Sequence, residues 1–372
     1  MATPDQDQDE KKEENGISSF KVLSLNVHGW SSRDSRLNNS DAVCKLVDKV
    51  QPDVCCFQEV MRPLTPLHRI ADSIKTQREN IFFTPVKIFG NAMVSRFDGR
   101  VEDLKLSVDG REVRYATKLP LKMGNRWDLA VVNLHLDHQF EGIRVKQIQL
   151  VLEWLNGGSE GIVSPLPHLL AGDFNAVSHW TAEVTKQRAK HKLQPSTDEL
   201  YRLLTETYGY VDLERRRPPV NTSVYNVRVD YVFCSPALAA RVISDKTKFK
   251  VIPGLSDHSA VLAGLKLDTS KLIVGIVTLD RDVSVNLRTL LLEKKIGGRI
   301  ALVHNELSEV FLQLNHCETV IVEGDLVQRI SPSLDVLFQV GTGLDTKSGD
   351  WEKLVSVSSV HEILTHIEKL TP

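Results

Sequence analysis

The chain has 372 residues, 41% of them hydrophobic and 25% charged, and its formal net charge is -2. That length accommodates two domains, and the composition is that of a globular protein rather than a fibrous or disordered one. The near-neutral balance argues against a whole-molecule attraction to nucleic acid or acidic membrane, leaving room for a local basic rim around a cleft.

Residues 1–18 are rich in Asp, Glu, Gln and Lys and contain no apolar core. They read as a disordered tail rather than a secretory signal. No apolar run is long enough to span a bilayer, so there is no transmembrane segment, although peripheral contact with lipid stays open. The five cysteines are odd in number and lack a CxxC pair. They read as free thiols packed as small hydrophobes, which suggests a reducing compartment and a cytoplasmic or nuclear location.

From Phe20 onward strand and helix signals alternate. Lys21 to Val27 is a short β-rich run, and Val43, Leu46, Val47 and Val50 have helical spacing before the stop at Gln51-Pro52-Asp53. Val54 to Phe57 begins another strand. Between Val101 and Asn133 the pattern changes to antiparallel strands, with Asp109-Gly110 as a turn. Asp128 to Leu136 is a buried strand, Ile143 to Leu155 a helix, and Ser196 to Glu199 a capping box for a helix through Leu204. Val227 to Cys234 and Ser259 to Leu267 complete this part, an α/β sandwich of mixed strands.

Near residue 270 the pattern restarts. Strands are expected at Leu272 to Val277, Arg299 to Val303, Thr319 to Val322 and Leu334 to Val340. Helices are expected at Val283 to Glu293, Glu306 to Leu314 and Val360 to Leu370. Residues 270–372 therefore read as a second, smaller α/β domain with a mostly parallel sheet. It has neither GxxxxGK[ST] nor GxGxxG, so no nucleotide site and no chemistry are assigned to it. Partner binding or dimerisation through it is open.

Four polar clusters follow or interrupt strand-like runs: Leu25-Asn26, Gln58-Glu59, Gly172-Asp173-Phe174-Asn175 and Ser256-Asp257-His258. Hydrolysis of a phosphodiester needs a hard cation, a base for water and donors for the transition state. Glu59 alone reads as a solvated loop residue, and Asn26 beside a glycine as turn chemistry. Asn133, His135 and Asp137 share one strand face, and His135 is as compatible with a satisfied core position as with a phosphate contact. Asp173 and Asn175, two apart, are suited to activating water and donating to phosphate. Arg228 and Asp230 fall on one strand face, and Asp230 can orient His258. The Arg215-Arg216-Arg217 loop is a solvated run or a steering rim. Trp30 and Trp180 either line the site or pack on the sandwich edge.

Taken together, the ordered set resembles the endonuclease/exonuclease/phosphatase superfamily. It comprises Leu25-Asn26, Gln58-Glu59, Gly90 to Arg96, Asn133 to Leu136, Gly172 to Asn175, Val229 to Val232 and Ser256 to His258. The resemblance implies a DNase I-like four-layer α/β sandwich over residues 19–268. It implies Glu59 as principal Mg²⁺ ligand, with Mn²⁺ as a substitute, and Asn26 and Asp257 close to the ion. Asp173 would position the attacking water, Asn175 and His135 would contact phosphate, and His258 paired with Asp230 would stabilise the transition state. Arg144, with Gln147, matches a position where many members place such residues, so Arg144 and Arg228 are the expected substrate contacts. His28 stands where the apurinic endonucleases and tyrosyl-DNA phosphodiesterases carry an acid, and the Trp-Cys-Asp-Arg segment of the inositol 5-phosphatases is absent. Gly90 to Arg96 and Gly172 to Ala176 look most like the metal-dependent hydrolase and sphingomyelinase-like branches. The expected activity is Mg²⁺-dependent phosphoester hydrolysis, most simply of a diester. The substrate would be a nucleic acid, a phospholipid or a small soluble ester. The alternatives are a nuclease and a non-catalytic scaffold or binding protein that keeps the fold.

Overall fold

A computed structural model describes residues 17–32, 38–123, 127–155, 167–178, 182–190, 198–214, 220–243 and 246–268. In the C-terminal part it describes five strands alone. The first elements are β1 (Ile17–Asn26), α1 (Ser40–Val50), β2 (Val54–Gln58), α2 (Thr65–Ser73), β3 (Ile81–Val86), β4 (Phe89–Ser95) and β5 (Glu102–Leu106). Then come β6 (Arg114–Met123), β7 (Trp127–His135), α3 (Glu141–Leu155), β8 (His168–Asp173), α4 (Ala182–Lys190) and α5 (Glu199–Arg202). They are followed by β9 (Val211–Asp212), β10 (Asp230–Cys234), α6 (Pro236–Arg241), β11 (Lys248–Ile252) and β12 (Ala260–Asp268).

These strands form two mixed sheets of six, in the orders β11-β12-β1-β2-β4-β3 and β5-β6-β7-β8-β10-β9. Only β1 with β2 and β7 with β8 run parallel, at the middle of their sheets. The layering follows from alternation along the strands. Val22, Val54 and Cys56 of the first sheet face Leu119, Val131, Leu169, Ala171 and Val232 of the second across an inner core. Their neighbours Leu23, Cys55 and Phe57 point outward into a second core with Val43 and Val47 of α1 and Leu67 and Ile70 of α2. A third core packs Val132, Leu134, Leu170 and Phe233 under Ile148 and Leu152 of α3 and Leu200 of α5. The result is a four-layer α/β sandwich, helix over sheet over sheet over helix. Burial on both faces explains why β2 and β8 read as continuous apolar runs.

Local signals translate directly. Helix α1 ends where Gln51 turns left-handed (φ 48°) and donates to Val47 O, and Pro52 prevents continuation. Asp109 and Gly110 both have positive φ (49° and 68°), the type I′ pattern, at the tip of the β5–β6 connection. Cys55, Cys56, Cys44 and Cys234 are buried in the cores.

Some expectations change. The strand read from Val227 starts only at Asp230, because Thr222 Oγ1 accepts the N–H groups of Val229 and Asp230 in place of a neighbouring strand. The N-cap of α5 is Asp198 without a side-chain capping bond, and a π-helical turn, Leu203–Thr207, extends the helix. Ser196 and Thr197 lie outside the described residues, as do Trp180 and the Arg215 to Arg217 run. Trp30 is buried against Phe57, with ring centroids 6.0 Å apart, so it packs on the sandwich edge.

The C-terminal strands are β13 (Val274–Val277), β14 (Leu302–His304), β15 (Thr319–Glu323), β16 (Leu337–Val340) and β17 (Leu354–Val357). They form one sheet, β14-β13-β15-β16-β17, parallel in every pairing. The first four fall within or beside the expected runs, and β17 was not foreseen. The helices expected at Val283 to Glu293, Glu306 to Leu314 and Val360 to Leu370 lie outside the described residues. No helix among the described residues is long and apolar enough to cross a membrane.

Candidate active site

Two parallel strand pairs at the middle of facing sheets bring four strand ends to one edge of the sandwich. Asn26 ends β1, Glu59 follows β2, His135 ends β7 and Asp173 ends β8. The antiparallel neighbours begin at the same edge, since Asp230 of β10 is paired in register with Asp173 and His258 lies two residues before the start of β12. Topology therefore collects residues from across the chain.

The two sheets are pinned together beneath this edge. Asn133 donates to Phe57 O and Ala92 O of the first sheet, both at 3.0 Å, and accepts from Gln58 Nε2 at 2.8 Å. Gly172 lets β7 and β8 approach: a Cβ on it would fall 2.0 Å from Leu134 O, and its φ is +148°. Beyond it, Phe174 turns into the third core with its ring edge-on to Tyr231 and Phe233. This leaves Asp173 and Asn175 on the polar side.

Asp173 is the centre of the cluster. Its Oδ2 accepts from Asn26 Nδ2 at 3.1 Å, and its Oδ1 from the Asn175 backbone N–H at 2.9 Å. Asn175 adopts φ 51° and anchors its own amide on Leu136 O at 3.2 Å. His258 Nδ1 is 2.9 Å from Asp230 Oδ2, and its Nε2 is 3.7 Å from Asp173 Oδ2. Burial pushes the Asp173 carboxyl up to about 7, and the negative charge of Asp230 adds to it, against His258, Asn26 and the Asn175 N–H. Burial opposes the charge on His258, but the carboxylates of Asp230 and Asp173 outweigh it and raise the imidazole to about 10. At neutral pH His258 is an imidazolium clamped between two acids.

His135 is the opposite case. Burial, then the neighbouring Arg114, His258 and His138, hold it well below the ordinary histidine range, so it is neutral. Arg114 Nη1 lies 3.2 Å from His135 Nδ1. A guanidinium has only donors, so Nδ1 accepts and the proton resides on Nε2. That Nε2 points to Glu59 Oε1 at 3.8 Å and Asp173 Oδ2 at 3.6 Å.

Glu59 (φ 53°) and Asp257 converge beside Asn26, and both side chains are about one-fifth exposed. Asp257 Oδ1 is enclosed without a hydrogen-bond partner. An orphaned carboxylate oxygen next to a second carboxylate and a carboxamide fits a hard divalent cation. Asp173, Asp230 and His258 also have ligating atoms within 4.8 Å of one another. That set is better explained as the ion-paired clamp, since an imidazolium has no lone pair to give a metal.

The structure places Arg144 and Arg228 in ion pairs of the fold. Arg144 is fully buried and bonds Glu141 Oε2 and, at 2.9 Å, Asp137 O. Arg228 lies before β10, holds Asp212 with two bonds of 2.6 and 2.7 Å, and stacks over Tyr231. Both guanidinium groups serve ion pairs of the fold. Gln147 is likewise internal, accepting from the Asp137 N–H, and Asp137 caps the approach to α3. Conversely, Arg114, Thr222 and Ser256 had not been singled out for a role. Ser256 Oγ lies 2.6 Å from Asn26 O and accepts from the His258 N–H, tying the two motifs together. Beside His258 opens a cleft of about 370 Å³ lined by Ser32, Asn221, Ser223, Asn226, Asp257 and others.

The uncharacterized protein YbhP of Escherichia coli (strain K12) is 29% identical over 272 residues, covering 67% of this chain and 97% of that protein. An endonuclease/exonuclease/phosphatase from Beutenbergia cavernae DSM 12333 is 19% identical, with TM-score 0.48, covering 67% of this chain and 72% of that one. Truncated Caenorhabditis elegans TDP2 is 19% identical, with TM-score 0.46, covering 66% of this chain and 97% of that one. ANGEL2, a 2',3'-cyclic phosphatase, is 15% identical, with TM-score 0.47, covering 68% and 97%. A family model described as the endonuclease/exonuclease/phosphatase family matches residues 23–258, well over half of the chain. Running from Leu23 in β1 to His258, that match shows that the chain belongs to the endonuclease/exonuclease/phosphatase family.

Proposed function

We propose that this protein is a divalent-cation-dependent phosphoesterase, most simply a phosphodiesterase, in which Asp173 activates the attacking water. The family assignment supports phosphate-ester hydrolysis as the reaction class. The observation that carries the finer reading is the buried Asp173–His258–Asp230 clamp, in which both groups are raised, Asp173 to about 7 and His258 to about 10, so that a carboxyl titrating near neutrality sits beside a charged imidazolium.

Held by Glu59, Asp257 and Asn26, Mg²⁺ or Mn²⁺ would neutralise phosphate charge and assist the leaving oxygen. The chain's own groups supply the rest. Asp173 has a carboxyl tuned near neutrality, where a general base is most effective, and Asn26 and the Asn175 N–H fix its orientation. The water oxygen forms the new bond to phosphorus, its proton passes to Asp173, and the bond to the leaving oxygen breaks. The Nε2–H groups of His135 and His258 lie 3.6 and 3.7 Å from Asp173 Oδ2, too far for a full hydrogen bond. They are available to non-bridging phosphate oxygens, where charge builds in the transition state. Asp230 keeps the His258 ring oriented and protonated.

The test is release of product from single-stranded and duplex nucleic acids, sphingomyelin, inositol phosphates and a bis-aryl phosphodiester, with Mg²⁺ or Mn²⁺ and with chelator. The expected result is cation-dependent turnover of one class that Glu59→Gln abolishes. Tight cation binding with no turnover on any ester would replace this reading with a binding protein that retains the fold.

A further inference from the structure

The reaction outlined above leaves one polar side chain at the cluster without a role. His28, Gly29 and Trp30 all have positive φ (47°, 62° and 64°), a left-handed run that non-glycine residues seldom adopt. It is held at each step: His28 N–H donates to Asn26 Oδ1 at 3.0 Å, Gly29 N–H to Glu59 O at 2.9 Å, and Trp30 Nε1 to Met61 O at 3.3 Å. At Gly29 a Cβ would lie 2.7 Å from Met61 Sδ, so the turn closes tightly on the segment after Glu59.

This turn delivers the His28 imidazole between two carboxylates, Glu59 just after β2 and Asp257 just before β12. Its Nδ1 is 3.4 Å from Glu59 Oε2 and 3.5 Å from Asp257 Oδ2, with the ring half exposed. Those separations are too long for good hydrogen bonds. They suit the edges of a coordination shell, since bonds of roughly 2.0–2.1 Å give edges of about 2.9 Å in an octahedron and about 3.4 Å in a tetrahedron. The unpartnered, enclosed Asp257 Oδ1 lies on the same group.

We propose that His28 Nδ1 is a further donor beside Glu59, Asp257 and Asn26, so that this site takes Mn²⁺ or Zn²⁺ more tightly than Mg²⁺. The proposal rests on the cation site of the preceding reading and makes it a mixed nitrogen–oxygen one. Imidazole suits transition metals and adds little for Mg²⁺, which prefers oxygen and keeps its water.

The test is calorimetric titration of the full chain with Mg²⁺, Mn²⁺ and Zn²⁺, with electron spin-echo spectra of bound Mn²⁺ to detect a coordinated nitrogen. Melting curves of each variant check that it is folded. His28→Ala should weaken Mn²⁺ binding by roughly tenfold or more, since loss of even an outer partner costs about that much. It should leave Mg²⁺ binding within about twofold and abolish the nitrogen signal. His28→Asp should restore binding with preference moved toward Mg²⁺. Unchanged Mn²⁺ affinity in His28→Ala, or no nitrogen signal in wild type, would overturn the proposal. A nitrogen signal in a protein that hydrolyses no ester would uphold the His28 assignment while refuting the hydrolase.

Discussion

At the scale of single residues, burial raises Asp173 and neighbouring carboxylates raise His258, so both titrate well above their ordinary ranges. Asp173 titrates near 7 and His258 near 10. A base must be deprotonated and an electrophilic imidazolium protonated, so kcat/KM should rise as pH passes through about 7 and fall as it passes through about 10. A pH–rate profile measures both limbs. Asp230→Asn removes a carboxylate that raises His258, so its alkaline limb should move to lower pH. An unmoved limb would detach that limb from His258. Arg114→Met removes the donor that fixes the His135 tautomer and should lower kcat by roughly 10–100-fold. Steady-state kinetics on a stably folded variant measures this. Asp173, Asn175 and the Asp257-His258 pair were legible because their residue types and order are unusual together. Arg114 was not, because an arginine in an alternating strand gives no sign of what it faces. Arg144 pairs internally with Glu141 three residues earlier, a spacing the sequence does show.

Elements deliver these residues through register. Asn26 is level with Gln58 across β1 and β2, and His135 with Asp173 across β7 and β8. Gly172→Ala would force a Cβ onto Leu134 O at the point where β7 and β8 hold His135 and Asp173 together. Denaturant unfolding should show a loss of at least ~2 kcal/mol, together with a marked loss of turnover. Most strands of the sandwich were visible as apolar runs or alternations. Helices α2, α4 and α6 and strands β3, β4, β9 and β11 were not. Pro85 lies inside β3, and a proline is tolerated there because β3 is an edge strand, a placement that only the sheet order reveals. The start of β10 was misread because a side chain, Thr222, does the bonding that a strand would otherwise do.

On the scale of the whole molecule, a net charge of -2 gives no general attraction to a polyanion. The lining of the cleft beside His258 includes neutral Ser32, Asn221, Ser223 and Asn226. The apparent KM should therefore change by less than about threefold between 50 and 200 mM salt, whereas a substrate engaged through many phosphates would lose about 10³–10⁵ in affinity. Titrating salt at fixed cation concentration distinguishes the two. The two-sheet layout was legible from the order of its motifs, and the parallel C-terminal sheet from its repeated apolar strands. What those strands do was not, because they carry no motif with a chemical requirement. The claim on which the rest depends is that Asp173 takes the proton of the attacking water. Its most direct measurement is kcat of Asp173→Asn against wild type on the best ester, with equal folding verified. A fall of about 10²–10⁴-fold is predicted for loss of a general base. A variant retaining kcat within about tenfold of wild type would contradict the account.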